Sequence, residues 1–141
     1  MRDLYHKLET EILALPQVVS ADLTPANGVE LNDCEGVNFE AIIGADGATL
    51  GATDKLDIIL EDSDDDSTYA AVTNADYVLG LTPDASGIVA TIDGATDDEQ
   101  SYKCGYLGPK RYAQIRADVT GTVSIPVCLL ATKGYKNREA L

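Results

Sequence analysis

A two-residue alternation of apolar and polar side chains governs most of this chain. Ala113, Ile115, Ala117 and Val119 alternate with Tyr112, Gln114, Arg116 and Asp118. Val37, Phe39, Ala41, Ile43 and Ala45 fall on one side of a second run, with Asn38 and Glu40 on the other. Leu56, Ile58 and Leu60 alternate with Asp57, Ile59 and Glu61, and Val123, Ile125, Val127, Leu129 and Ala131 mark a fourth run. Successive side chains of a strand point to opposite faces, so this period predicts strands with one face inward and one face wet. Further strands are predicted over residues 18–23, 68–73, 88–92 and 101–107.

Turn-forming clusters separate these runs: Ala26-Asn27-Gly28, Asp46-Gly47, Asp64-Asp65-Asp66-Ser67, Pro83-Asp84-Ala85-Ser86-Gly87, Asp93-Gly94 and Gly108-Pro109. Short strands with turns roughly every 8–12 residues predict a mainly β protein, an antiparallel β-sandwich or barrel of about eight short strands. Helices do not alternate with the strands, which argues against a parallel α/β fold. Pro126 cannot donate a ladder hydrogen bond, so the strand over residues 122–131 is expected at an edge or bulged. Near the start, Leu4, Leu8 and Ile12 recur four apart with Glu9 and Glu11 between them. That spacing predicts a helix over residues 2–15, ended by Pro16, with an extended arm as the alternative. The predicted organisation is an N-terminal helix or arm (residues 1–16), a β domain (17–132) and a flexible basic tail (133–141).

The 141 residues fit one domain, long enough to bury a core. No apolar run is long enough for a membrane helix, and the start has no signal-peptide core, so use in the cytoplasm is expected. The net charge of −14 argues against nucleic acid or an anionic membrane as partner. The charge is uneven. Residues 17–102 hold 19 acids and one base, Lys55, whereas residues 103–141 hold 7 bases and 2 acids. This makes either a dipolar molecule with a preferred docking face or interleaved halves that neutralise each other.

Little in the chain suggests chemistry. His6 is the single histidine, Cys34, Cys104 and Cys128 are widely spaced, and no nucleophile–base pair or phosphate loop is present. No enzyme, cofactor or metal centre is expected. Asp62, Asp64 and Asp66 have the i, i+2, i+4 spacing of a calcium loop. Ser67 and Thr73 occupy the positions where such a loop needs glycine and glutamate, so a solvated hairpin tip is the simpler expectation. Tyr102, Tyr106 and Tyr112 flank Lys103, Lys110 and Arg111, and tyrosine and arginine are enriched at protein interfaces. Lys110, Arg111 and Tyr112 are the docking candidates of this segment. Tyr102 and Tyr106 are alternatively core residues with hydroxyls at its margin.

Four segments occur in a suggestive order. They are Met1-Arg2-Asp3-Leu4-Tyr5, the hairpin from Lys55 to Asp65, Gly105-Tyr106-Leu107-Gly108-Pro109-Lys110-Arg111-Tyr112, and a closing strand before a short polar tail. Together they resemble a family of small structural proteins of tailed bacteriophages and prophages, encoded near the major capsid protein. The pattern Tyr-x-Gly-x-Lys-Arg-Tyr is the most specific part. The resemblance implies a capsid decoration, or cement, protein. Such a protein sits on the outer capsid surface of the virion, is assembled in the host cytoplasm, binds the major capsid protein and bridges its subunits. A homotrimer is the expected assembly. The implied interface comprises Arg2, Leu4, Tyr5, Lys110, Arg111, Tyr112 and Tyr135, with no catalytic residue, cofactor or metal. Two alternatives stand beside this expectation: a head–tail connector or tail structural protein, and a non-catalytic β module for a ligand or calcium.

Overall fold

Each alternating run forms a strand. The computed structural model describes residues 4–135. In chain order the strands are β1 (Leu8–Val19), β2 (Val29–Glu30), β3 (Gly36–Ile43), β4 (Lys55–Ser63), β5 (Ala70–Ala71), β6 (Val78–Leu79), β7 (Ile88–Ile92), β8 (Ser101–Tyr106), β9 (Tyr112–Thr120) and β10 (Ile125–Gly134). Three of the ten, β2, β5 and β6, are only two residues long. One antiparallel sheet has the order β1-β10-β3-β8-β6. The other has the order β2-β9-β4-β5, with β7 also pairing to β4. The architecture is sandwich-like and does not close into a barrel.

The core lies between the sheets. From the first come Val37, Phe39, Ala41 and Ile43 of β3 and Ile125, Val127, Leu129 and Ala131 of β10. From the second come Leu56, Ile58 and Leu60 of β4 and Ala113, Ile115 and Ala117 of β9. On β4 the expected wet face is wet only in part, because Asp57 and Ile59 are also buried. β4 lies between β9 and β7, and neighbouring side chains cover its outer face. The Asp57 carboxylate accepts a hydrogen bond from the Thr91 hydroxyl at 2.7 Å and meets Lys55 at 3.4 Å.

The predicted N-terminal helix is corrected. Residues 8–19 form β1, hydrogen-bonded to β10. A four-residue spacing is even, so Leu4, Leu8 and Ile12 fit one side of a strand as well as one side of a helix. They point outward, with Leu8 and Ile12 exposed. Pro16 interrupts no helix. It falls where the β1–β10 register slips between Ala14 and Gln17, at a bulge on an edge strand, where a missing N–H is tolerated.

Three further expectations change. β10 is not an edge strand. It is flanked by β1 and β3, and the irregularity expected at Pro126 lies on β1 instead. The strand expected over residues 18–23 ends at Val19, after which Leu23 makes an isolated bridge to Ala117. Lys133 and Gly134, placed in the flexible tail, belong to β10, and the Tyr135 N–H donates to the Lys7 carbonyl at 2.9 Å. Residues 136–141 of the tail lie outside the described residues. Between β9 and β10 the chain reverses through Gly121, whose φ of +71° and contact with the Thr53 carbonyl leave no place for a Cβ.

Phe39→Ala is expected to lower stability by about 3–5 kcal/mol in urea denaturation, because it empties a fully enclosed site. Leu15→Ala, on the exposed side of β1, should change it by no more than about 0.5 kcal/mol. Equal effects would contradict the inward assignment of β3.

A candidate docking surface at one end of the sandwich

The antiparallel pairing brings many sequence-predicted residues to one end of the molecule. β1 starts there at Leu8 opposite Gly134, the last residue of β10, which in turn faces Gly36 at the start of β3. β8 ends there at Tyr106, and a five-residue crossing carries the chain to Tyr112 at the start of β9, opposite Ser63 at the end of β4. Leu4, Tyr5, Lys110, Arg111, Tyr112 and Tyr135 therefore share this end. Arg2 lies outside the described residues.

The crossing is held by its own motif. Tyr106 is buried, and its hydroxyl donates to Asp62 at 2.7 Å while accepting from the Lys110 N–H at 3.3 Å. Burial, then the bond to Asp62, pushes the Tyr106 phenol above its ordinary value. Gly108 passes so close to the Tyr106 ring that a Cβ there would overlap it. The Tyr-x-Gly pair thus has a packing reason. Tyr102 also faces inward, its hydroxyl donating to the Asp97 carbonyl at 2.6 Å. Both tyrosines take the core role.

The bases of the motif are engaged within the chain. Lys110 Nζ donates to Asp64 at 2.6 Å. Arg111 donates twice to Glu30 Oε1, at 2.6 and 3.0 Å, and its guanidinium lies 5.2 Å from the Tyr112 ring centre. On the outer face of the second sheet Arg116 bridges Glu61 at 2.7 Å and Asp118 at 3.1 Å. The halves of uneven charge therefore interleave: Lys110, Arg111, Arg116 and Lys133 each meet an acid from the acidic part of the chain. Lys110 and Arg111 remain accessible, but as members of surface pairs rather than as bare cations.

Lys133 is the residue that sequence reasoning missed. It is only 3% exposed, on the inward side of β10. Its ammonium donates to Asp33 at 2.9 and 3.2 Å and to the Glu30 carbonyl at 3.1 Å, and it meets Glu11 at 3.2 Å. Burial works to lower its pKa, but the bonds to Asp33 and Glu11 outweigh burial and hold it above the ordinary lysine value. Beside it the Tyr135 hydroxyl donates to Glu9 at 2.8 Å. This network ties β1, β10 and the 31–35 loop together where the apolar core runs out.

The acidic turn after β4 is a hydrogen-bonded tip. Asp65 Oδ1 accepts from the Thr68 N–H at 2.8 Å, the Ser63 hydroxyl at 2.8 Å and the Ser67 N–H at 3.0 Å. Asp66 Oδ1 accepts from the Gly28 N–H at 2.9 Å and from the Tyr69 hydroxyl. Among the described residues no three His, Cys, Asp or Glu side chains are grouped to hold a metal ion. A cleft of about 330 Å3 opens between the 31–36 and 107–110 loops, with Cys34 in its wall. Burial raises the Cys34 thiol and pushes Cys104 up to about 12, so both stay protonated at neutral pH and are poor nucleophiles.

The distinctive surface runs from this end along the outer face of β1. Leu4, Tyr5, Leu8, Ile12, Leu15 and Val18 make up six of the nine exposed large apolar side chains, and Ile42 of β3 is a seventh. Ile12 faces Leu130, Val18 faces Pro126 and Ile42 faces Cys128, so β10 joins the two strands into a largely apolar face, interrupted by Thr10, Thr132, Asn38 and Glu40. Its signal in the sequence was present in the spacing of Leu4, Leu8 and Ile12, once that spacing is read with period two. No protein-family model, no curated protein and no solved structure matches this chain.

Two predictions test these polar groups, with Asp54 at the opposite end of β4 as a companion to Asp65. The double variant Glu11→Ala/Asp33→Ala strands a buried cation and should cost about 3–5 kcal/mol in urea denaturation. Lys133→Met should cost less, because the partly exposed carboxylates can rehydrate. The second prediction concerns acid. The Thr68 N–H, then Ser63 and Ser67, hold Asp65 below its ordinary value of 3.8, and the Thr122 N–H, then Thr53, do the same for Asp54. A lowered carboxylate stabilises the fold above its unfolded pKa, and this stability is lost as pH falls through the folded value. The Tm should therefore drop below pH 3.8, and Asp65→Asn should flatten that acid limb.

Proposed function

We propose that this protein is a non-catalytic docking module, a decoration protein of a tailed-phage capsid that binds the outer surface of the head and bridges major capsid protein subunits. The observation that carries the reading is the apolar face of β1, β10 and β3 on a chain of net charge −14. Large exposed apolar patches on an otherwise charged surface mark interaction sites. Aliphatic side chains standing on a hydrogen-bonded sheet form a rigid platform, so little conformational entropy is lost when a partner covers it. The resemblance of the Tyr-x-Gly-x-Lys-Arg-Tyr segment and its neighbours to phage head proteins supplies the identity of the partner. Avidity over many copies would make a modest contact sufficient to hold a lattice against internal pressure.

In this reading Tyr5, exposed at the end of the sandwich, extends the platform, whereas Tyr112 stands with Arg116 on the outer face of the second sheet. Lys110 and Arg111 serve mainly to brace the crossing on which Tyr112 stands.

Quantitative mass spectrometry of purified particles should find this chain in numbers comparable to the major capsid protein. A handful of copies would move the protein to the connector or tail, and its absence would remove the virion reading. Leu15→Glu and Ile42→Glu each place a charge on the exposed face without touching the core. Each should weaken attachment to particles at least about tenfold, equivalent to about 1.4 kcal/mol, with Tm unchanged. Undiminished attachment would place the docking face elsewhere.

A further inference from the structure

The outer edge of β1 carries a pattern that matches its own reverse. Leu8-Glu9-Thr10-Glu11-Ile12 reads apolar, acidic, threonine, acidic, apolar in either direction. Among the described residues no strand pairs with this edge. The Tyr135 N–H donates to the Lys7 carbonyl, so the backbone of Lys7, Glu9 and Glu11 is turned toward β10. The alternation of an antiparallel ladder then turns the backbone groups of Leu8, Thr10 and Ile12 to the open edge. The Leu8 N–H is already taken by the Leu4 carbonyl at 3.0 Å, which leaves the Leu8 carbonyl and both groups of Thr10 and Ile12.

We propose that two copies of this chain pair antiparallel through Leu8-Glu9-Thr10-Glu11-Ile12, about a two-fold axis at Thr10. A two-fold interface must present the same patch on both sides, and this stretch is self-complementary in register. Thr10 exchanges two backbone hydrogen bonds with its twin, each Ile12 N–H donates to the partner's Leu8 carbonyl, and each Leu8 N–H exchanges its Leu4 acceptor for the partner's Ile12 carbonyl. On the outer face each Leu8 stacks on the other copy's Ile12, a favourable cross-strand pair. On the other face Glu9 meets the second copy's Glu11. That repulsion is moderated in advance, because Glu11 is paired with Lys133 and Glu9 accepts from Tyr135. The register is bounded. A turn precedes Leu8, and the β1–β10 register slips after Ile12 and again before Gln17, so the regular edge ends where the palindrome ends. The pairing joins two five-stranded sheets into one and lays their apolar faces side by side.

The inference concerns the isolated protein, so its failure is distinguishable from failure of the capsid reading. Native mass spectrometry and light scattering at micromolar concentration should give twice the mass of one chain. A monomer, or the homotrimer that the sequence reading expects, overturns the proposal. Thr10→Pro removes an N–H aimed away from β10 and should halve the mass while leaving the far-ultraviolet circular dichroism unchanged. A folded Thr10→Pro dimer also overturns it. Should that variant fail to fold, Thr10→Cys decides. Directly opposed residues of a hydrogen-bonded pair lie about 5.5 Å apart, within the range of a disulfide. Mild oxidation should link Thr10→Cys into a covalent dimer, whereas Gln17→Cys, beyond the bulges, should not link. Absence of the Thr10→Cys link overturns the register. Added salt should tighten the dimer, because each copy carries −14. Weakening by salt would indicate an interface held by ion pairs and would overturn the proposed edge pairing.

Discussion

The ladder between β1 and β10 is the constraint on which the rest of the structure depends. It joins the first and last of the ten strands, and β10 passes the pairing on to β3 and thence to β8. Without β10 the first sheet loses its middle, and Phe39 loses the neighbours that enclose it. The contact is among the most non-local a chain of this length can make, so loop-closure entropy must be met before the sheet rewards it. β1 is poorly equipped to stay by packing alone, since only Ala14 and Val19 of its side chains are buried. The network of Lys133, Glu11 and Asp33 supplies a second attachment, and a directional one. A cation with geometrically fixed partners is more directional than interchangeable aliphatic contacts, and the bonds to Asp33 and Glu11 that hold the Lys133 pKa up are the same ones that tie the 31–35 loop and β1 to β10.

The parts of this fold that were legible in the sequence are those where one face is buried and the other is wet. β3 and β9 show the plain alternation, and their strands appear where it does. β4 shows it less faithfully, because Asp57 and Ile59 on its outer face are covered by neighbouring side chains. β1 misleads for a geometric reason. Four is close to the helical period and is also a multiple of two, so three leucine and isoleucine positions satisfy both, and nothing local separates them. What decides is the partner strand, more than a hundred positions away. Pro126 misleads similarly, because a missing N–H says that one ladder bond is absent but not which strand yields. Here β1 yields, at its bulges.

The candidate site divides along the same line. Tyr106, Gly108, Lys110 and Arg111 are adjacent in the chain, so their shared location follows from the segment itself. Their roles do not. The acids that engage Lys110 and Arg111 lie 46 and 81 residues away, and Lys133 reaches Asp33 across 100. Basic residues that looked like a docking patch serve first as internal braces, because interleaved strands set each beside an acid. The exposed apolar face was hidden by the opposite error. Leu8 and Ile12 carry the spacing of a helix stripe, whereas a strand at the sheet edge turns them to solvent.

Charge then bears on how such a face can exist on this protein. A long apolar edge strand invites indiscriminate pairing, and proteins blunt such edges with charge, proline and bulges. β1 uses all three: Glu9 and Glu11 alternate with its outward residues, Pro16 sits in its second half, and its ladder with β10 slips twice. These devices leave open one stretch of five residues whose pattern matches itself. Strands of a different pattern would meet two acids without the corresponding apolar partners, and an anionic surface would be repelled by the net charge of −14. The restriction is therefore selective rather than merely protective. It disfavours most extended segments while permitting a second β1 in one register, and it leaves Leu15, Val18 and Ile42 on the outer face beyond the pairing edge. Pairing through the edge uses the backbone together with Leu8 and Ile12, whereas docking through the face keeps Leu15, Val18 and Ile42, so neither excludes the other.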